Sequence, residues 1–329
     1  MVLVIRRLRR DERGVASTVG TIMALLVFLT FLSLIVNQYV PVWMKDSEAA
    51  HINGAIGQFG GIKGAIDLQV LGAQMAQNSG SIFIPTTSST AVTLGVDGVP
   101  IFSAPTLGQL SSNPDQGAWN VSFSYRVGPS PGVLTYVWQN ASGQIDLYVG
   151  NRYYIPQHIV YENGAVIRSQ TDGQVIRADP TFQAAKSGTN MTFAFELVNL
   201  YGQGGLVGTT TEVVNTKVFG VNLQTYTSLA SGITVKHTSA YGLAWYKFLN
   251  ATLAGAYGVK QGQGSFLHNT FITHFTAPSN FYDIVANLDT SNGVYTLTLT
   301  INTVVPIGSF TLQTAYVQVG IGEQTNTNG

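Results

Sequence analysis

A long uncharged stretch near the N-terminus constrains this chain more than any other feature of its sequence. No residue from Val15 to Met44 is charged, and residues 19–36 are almost all apolar. As a helix, residues 15–36 would extend about 33 Å, enough to cross a hydrocarbon core of about 30 Å. The sequence therefore predicts a membrane-spanning helix.

The flanks of this stretch predict its orientation. Arginines precede it, and Tyr39 and Trp43 follow it, which matches the positive-inside rule and the interfacial aromatic belt. We expect the N-terminus in the cytoplasm and the bulk of the chain outside. A conventional secretory signal would have a shorter apolar run and a small-residue cleavage site, whereas Pro41 lies between the two aromatic residues here.

Composition excludes several classes of function. Only 10% of the 329 residues are charged, against about 25% in soluble domains. The absence of cysteine excludes disulfides, thiolate metal sites and thiol nucleophiles. The 16 basic and 16 acidic residues balance, which counts against nucleic acid as a partner. Residues 1–14 nevertheless carry a net +3 and the remainder −3.

The boundary between these two parts has a recognisable sequence. Arg13 and Gly14 stand directly before Val15 and the apolar helix, after a short basic leader. This resembles the class III signal peptides of archaeal type IV pilin-like proteins, and the resemblance extends over about residues 6–70. One departure is Val19, where bacterial pilins carry glutamate as the fifth mature residue.

The resemblance implies a processing route. A prepilin peptidase would cut between Gly14 and Val15 on the cytoplasmic side, and residues 15–78 would stay with the mature chain as a polymerisation helix. The implied partners are the membrane before assembly, the pilus assembly machinery and further copies of the same chain.

The helical pattern continues beyond the membrane segment. Pro41 predicts a kink, after which an apolar stripe follows helical spacing, and a helix over residues 15–78 would be about 95 Å long. The stripe consists of Ile52, Ile56, Phe59, Ile66 and Val70.

Four glycines form a second stripe on this segment. Gly54, Gly57, Gly61 and Gly64 share one helical face, although glycine in a helix interior costs about 0.8–1 kcal/mol relative to alanine. Close helix–helix packing would offset that cost, so we predict a filament core of bundled helices. A flexible glycine-rich linker is the alternative interpretation.

Residues 79–329 predict a β-rich extracellular head. Short apolar runs alternate with turn residues, and Asn163-Gly164 and Asp172-Gly173 are strong turn dipeptides. The predicted fold is α+β: a long N-terminal helix, then an antiparallel β-sandwich with one inserted helix over residues 239–254. Two lobes with a boundary near residue 180 are an open alternative.

Four N-glycosylation sequons lie on the side predicted to be exterior, at Asn120, Asn140, Asn190 and Asn250. Glycans there would hydrate a surface with few charges. The sequence thus predicts a glycoprotein.

The sequence predicts no catalytic or metal-binding site. No nucleophile elbow, P-loop, HExxH or dinucleotide fingerprint is present. His268 and His274 are six residues apart, which on one strand separates them by about 20 Å, and His237 lies far upstream. Asp289 to Gly293 indicates a turn more than a calcium loop. We expect no catalytic residue, no cofactor and no metal.

The sequence therefore favours a structural subunit of an extracellular type IV pilus-like filament, used for adhesion or surface contact. The alternative is an uncleaved membrane-anchored protein of the cell surface or S-layer that binds a partner. An extracellular enzyme is the least favoured of the three.

Overall fold

A computed structural model describes residues 12–99 and 101–322. One helical rod opens the chain and comprises α1 (Glu12–Leu34), a π-helical turn (Ile35–Tyr39) and α2 (Val40–Ser79). Gly80 ends it in the left-handed conformation, φ 69°, which glycine adopts without a Cβ penalty. A long apolar helix is thus confirmed.

Beyond the rod, the described residues form three β-sheets. The five-stranded sheet has the order β1 (Ser88–Thr93), β12 (Thr211–Tyr226), β18 (Ile307–Ile321), β10 (Asn190–Tyr201), β9 (Phe182–Ser187). The six-stranded sheet has the order β11 (Gly204–Gly208), β2 (Gly108–Asn113), β5 (Gln144–Val149), β6 (Gln157–Glu162), β7 (Ala165–Gln170), β8 (Gly173–Ala178). The seven-stranded sheet has the order β14 (Ser265–His268), β15 (Ile272–Thr276), β16 (Tyr282–Asp289), β17 (Val294–Ile301), β13 (Ile233–Ser239), β3 (Ala118–Val127), β4 (Val133–Ala141).

Pairing in these sheets is largely antiparallel, as predicted. The exception is β18, which runs parallel to β10. It lies between β10 and β12 and is antiparallel to β12. Asn163-Gly164 joins β6 to β7 with both residues at positive φ, as a tight hairpin requires. Asp172-Gly173 lies at the turn from β7 to β8.

Strand pairing does not divide the head near residue 180. Strands from both sides of that position are neighbours in all three sheets: β1 pairs with β12, β2 with β11, and β3 with β13. Within the described part of the head, one further α-helix, α3 (Gly242–Tyr257), begins three residues after the start expected from the sequence. Long-range pairing of this kind leaves no local signal, which is why the sequence left a two-lobed alternative open.

Two hydrophobic cores hold the head together. The first combines side chains of all three sheets with α3, whose Trp245 is fully buried. The second surrounds α2 with side chains of the five-stranded and six-stranded sheets. Strand β10 contributes Phe195 to the first core and Leu200 to the second. The outer part of the long helix is therefore an integral part of the head.

A buried carboxyl at the edge of these cores makes stability depend on pH. Glu196 on β10 is 8% exposed, and burial, followed by the nearby charge of Asp67, raises its pKa. A raised pKa in the folded state contributes stability that is complete at acid pH and is lost as pH rises through that pKa. At neutral pH the ionised form therefore opposes folding.

We expect Glu196→Gln to raise the melting temperature by about 1–3 °C at pH 7. The gain should shrink towards zero below about pH 4, where the carboxyl is protonated in both states. Thermal unfolding of the full chain in detergent, followed by near-UV circular dichroism at both pH values, measures the difference. Equal gains at both pH values would contradict the argument.

Candidate functional site

The first part of the rod lies clear of the head. Its apolar side chains from Ser17 to Tyr39 are exposed except for the half-buried Leu32 and Ile35, and the helix is long and apolar enough to span a membrane. Polar side chains within it bond to their own helix: Thr21 Oγ1 donates to the carbonyl of Ser17 at 2.6 Å, and the Asn37 amide donates to that of Ser33 at 2.8 Å. These polar groups are thus satisfied without a partner, as hydrocarbon requires.

Pro41 coincides with a change in helix geometry. The π-helical turn at Ile35–Tyr39 ends immediately before α2, in whose first turn Pro41 lies. Proline cannot donate the i→i−4 hydrogen bond and its ring crowds the preceding turn, and a π turn is one way to accommodate this. The irregularity expected at Pro41 is present as a wider turn on its N-terminal side.

One face of α2 is buried against the protein's own head. Ile52, Phe59, Ile66 and Val70 of the predicted apolar stripe are buried, and Ile56 is half-buried. The complete buried face, here called the inner stripe, consists of Val40, Met44, Glu48, Ile52, Ala55, Phe59, Ile62, Ile66, Val70 and Ala73.

Glu48 is an unexpected member of the inner stripe. Its carboxylate is fully buried and accepts the backbone N–H groups of Arg152, Tyr153 and Tyr154 at 3.0, 2.9 and 2.6 Å. The Thr106 hydroxyl donates a fourth bond at 2.6 Å. Glu48 thereby fastens the segment between β5 and β6 to the helix.

The sequence contained a signal for this role. Glu48 stands four residues after Met44 and four before Ile52, in the middle of an apolar helical stripe. A carboxylate at such a position must find donors, because burying an unpaired charge is costly. Sequence reasoning gave Glu48 no role and missed these contacts.

The opposite face of α2 points away from the head. Eight residues follow one another at alternating steps of four and three, which is a heptad pattern, and none is charged. Seven are exposed and Gly64 is half-buried. This outer stripe consists of Ala50, Gly54, Gly57, Gly61, Gly64, Leu68, Leu71 and Met75.

The head does not need the glycines of the outer stripe. A Cβ built on Gly54, Gly57 or Gly64 has no atom within 4 Å, and one on Gly61 lies 3.4 Å from a Thr90 methyl group. Their helix-propensity cost is therefore not offset inside the monomer. Packing of this face against other helices stays a prediction.

The residues of the predicted processing site lie at the start of the rod. Arg13, Gly14 and Val15 are in the first turns of α1, which begins at Glu12. Residues 1–11, most of the predicted leader, lie outside the described part of the chain. Since a peptidase binds extended backbone, the first turn would have to unwind before cleavage.

The four sequons occupy different environments. Asn140 and Asn190 are exposed, and Asn120 is half-buried and donates its amide to Asn140 Oδ1 at 2.6 Å. Asn250 on α3 is 2% exposed, and its Oδ1 accepts the Tyr282 hydroxyl at 2.8 Å. A glycan on Asn250 has no room in the folded head, because α3 packs that face into the first core.

The three histidines considered from the sequence lie apart from one another in the fold. His268 and His274 lie on the paired strands β14 and β15, opposite Thr273 and Leu267 respectively, so the single strand assumed from the sequence is wrong. His268 pairs with Thr273, the residue next to His274, so the two histidines point to opposite faces of the sheet. His237 is buried elsewhere, stacked on Trp119. No group of three or more potential metal ligands occurs within residues 12–99 and 101–322.

Asp289 forms the predicted turn. Its carboxylate accepts the Ser291 hydroxyl at 2.7 Å and the Ser291 backbone N–H at 3.0 Å, and these bonds lower the pKa of Asp289. Gly293 has φ 71°. The carboxylate is thus used within an exposed turn between β16 and β17.

Comparison with known proteins adds no assignment. No protein-family model matches the chain, and no curated protein or solved structure matches it. The functional proposal therefore rests on the two stripes of α2 and on the apolar helix α1 before it.

Proposed function

We propose that this protein is the structural subunit of an extracellular type IV pilus-like filament that serves adhesion or surface contact. Its apolar N-terminal helix holds the precursor in the membrane and forms the filament core after assembly. The observation that carries this proposal is the uncharged outer stripe of α2, which runs alongside the head and is exposed at seven of its eight positions.

A membrane cannot cover this stripe. Met75 lies 36 residues beyond Tyr39 along the helix, or about 54 Å, whereas the hydrocarbon core is about 30 Å thick. Leu68 and Met75 are 72% and 62% exposed. An exposed apolar face of this length marks an interaction surface.

The membrane segment of a second copy matches the outer stripe in its lack of charge and in its length. The membrane segment Ser17–Tyr39 is uncharged and about 35 Å long, and the outer stripe from Ala50 to Met75 is about 38 Å long. Glycines allow helix axes to approach closely, and the exposed leucines and Met75 supply apolar contact area. Burial of the outer stripe from water would drive assembly.

The alternative, an uncleaved membrane-anchored surface protein, is favoured by one observation. Gly14 and Val15 are continuous with α1, which is compatible with a helix that keeps its leader. In that case the outer stripe would bind a different partner in the cell envelope.

N-terminal sequencing distinguishes the two proposals. Protein sheared from cells is expected to begin at Val15 and to sediment as filaments. A Gly14→Leu chain should accumulate as a precursor that begins at Met1 and is not released by shearing, because a large side chain would obstruct close threading of the backbone. An unprocessed wild-type chain that resists shearing would favour the anchored protein.

A further inference from the structure

The outer face of the seven-stranded sheet carries an elongated trough. Two adjoining grooves of about 380 and 280 Å³ follow β3, β4 and β13. Asn120 of β3 lines the first groove and Ser122 lines the second. Residues two apart on a strand lie on the same face, so the two grooves lie next to each other on one face of the sheet and are here together called the trough, which extends about 17 Å from Ala118 to Phe123.

Two aromatic side chains border one end of the trough. Tyr136 and Trp138 on β4 are 59% and 66% exposed, and their rings lie 5.7 Å apart at an interplanar angle of 15°. A soluble surface gains nothing from exposing such a pair. The two rings stack on one another and form an exposed aromatic pair, here called the platform, beside the second groove.

The remaining lining combines apolar residues with several polar, almost uncharged side chains. Hydroxyl groups come from Ser122, Thr234 and Thr300, and amides from Asn120 and Asn302. Hydroxyls and amides both donate and accept hydrogen bonds. Among the lining residues that the structure describes, Lys236 is the only charged one.

We propose that this trough binds an extended, uncharged polysaccharide. A sugar ring has an apolar C–H face that packs on an aromatic ring and a rim of hydroxyls that need both donors and acceptors. The platform and the polar lining supply these two kinds of contact side by side. The proposal names a ligand class for the adhesive role and depends on the proposed display of the head outside the cell.

Other classes of ligand fit the trough less well. A nucleic acid would need several cations along its phosphates, and Lys236 stands alone. A peptide added as a strand to the edge of β4 would depend on backbone pairing and not on aromatic character at Trp138. The test below separates the peptide case from the sugar case.

The sequons affect the design of the test. Asn120 and Asn140 line the first groove, so glycans attached there would enter the trough. The full chain should therefore be produced in a host without N-glycosylation and purified in a detergent that has no sugar headgroup. Binding to solubilised subunits does not require cleavage or assembly, so its failure is distinguishable from failure of the filament proposal.

The experiment is calorimetric titration with three neutral hexasaccharides, cellohexaose, β-1,4-mannohexaose and chitohexaose. At least one is expected to bind, and Trp138→Leu or Tyr136→Ala should weaken that binding about tenfold, while Trp138→Tyr retains most of it. Phe266→Ala is the matched control, because Phe266 is 57% exposed on β14 at the far edge of the same sheet. It should bind like the wild type.

Three results would overturn the proposal. These are no binding of any of the hexasaccharides, unchanged binding by Trp138→Leu, and an equal loss with Phe266→Ala. Both platform residues are exposed, so their variants should melt close to the wild-type temperature.

Discussion

A chain carrying Gly54→Leu and Gly57→Leu is expected to fold its head normally and to form no filaments. Both positions belong to the outer stripe, and a Cβ at either has no atom within 4 Å. Leucine also has a higher helix propensity than glycine, by roughly 1 kcal/mol per position. The isolated subunit should therefore lose no stability, whereas close approach of a neighbouring helix would be blocked.

Electron microscopy of the sheared fraction measures filaments, and near-UV circular dichroism of detergent-solubilised subunits measures folding. Gly255→Leu is the matched control, since Gly255 is an exposed helical glycine on α3 with equally open surroundings. It should assemble normally. Normal filaments from the double variant would show that the outer stripe does not pack in the filament.

The second large effect is expected at Glu48. Glu48→Ala removes the acceptor of three backbone N–H groups and the Thr106 hydroxyl in a fully buried site. Each unsatisfied buried donor costs about 1–3 kcal/mol, partly relieved if water enters. We expect a loss of about 3–5 kcal/mol in the free energy of unfolding.

Denaturant unfolding in detergent measures this loss, and amide hydrogen exchange reports on residues 150–155. Exchange should accelerate in that segment before it does elsewhere. Asp46→Ala is the control, because Asp46 is an exposed carboxylate two residues earlier on the same helix, and it should change stability by less than about 0.5 kcal/mol. Equal effects of the two variants would mean that Glu48 is not a clamp.

Local patterns were a good guide to local structure. The uncharged run and its helical spacing predicted a helix over residues 15–78, and the helical rod extends from Glu12 to Ser79. Asn163-Gly164 and Asp172-Gly173 predicted turns between strands; the first forms such a turn, and Asp172 lies in the turn that Gly173 follows as the first residue of β8. Helices and tight turns depend on residues a few positions apart, so their signals survive in a short window of sequence.

The arrangement of strands was much harder to predict. A single antiparallel sandwich was expected, and three sheets with one parallel pair are found among the described residues. His268 and His274 were assigned to one strand and lie on two. Strand partners are selected by packing between distant segments, which no local pattern encodes.

The sequence by itself determined the long helix, the absence of charge in its first part, and the heptad pattern of small and apolar residues on one face of its second part. These features follow from composition and periodicity along the chain. Only the tertiary structure decided which face of that helix the head covers. It also decided that Glu48 meets a loop more than a hundred residues away, that Asn250 is buried, and that Tyr136 and Trp138 border a polar trough. Those properties arise when distant segments pack together, so the physical chemistry that produces them exists only in the folded chain.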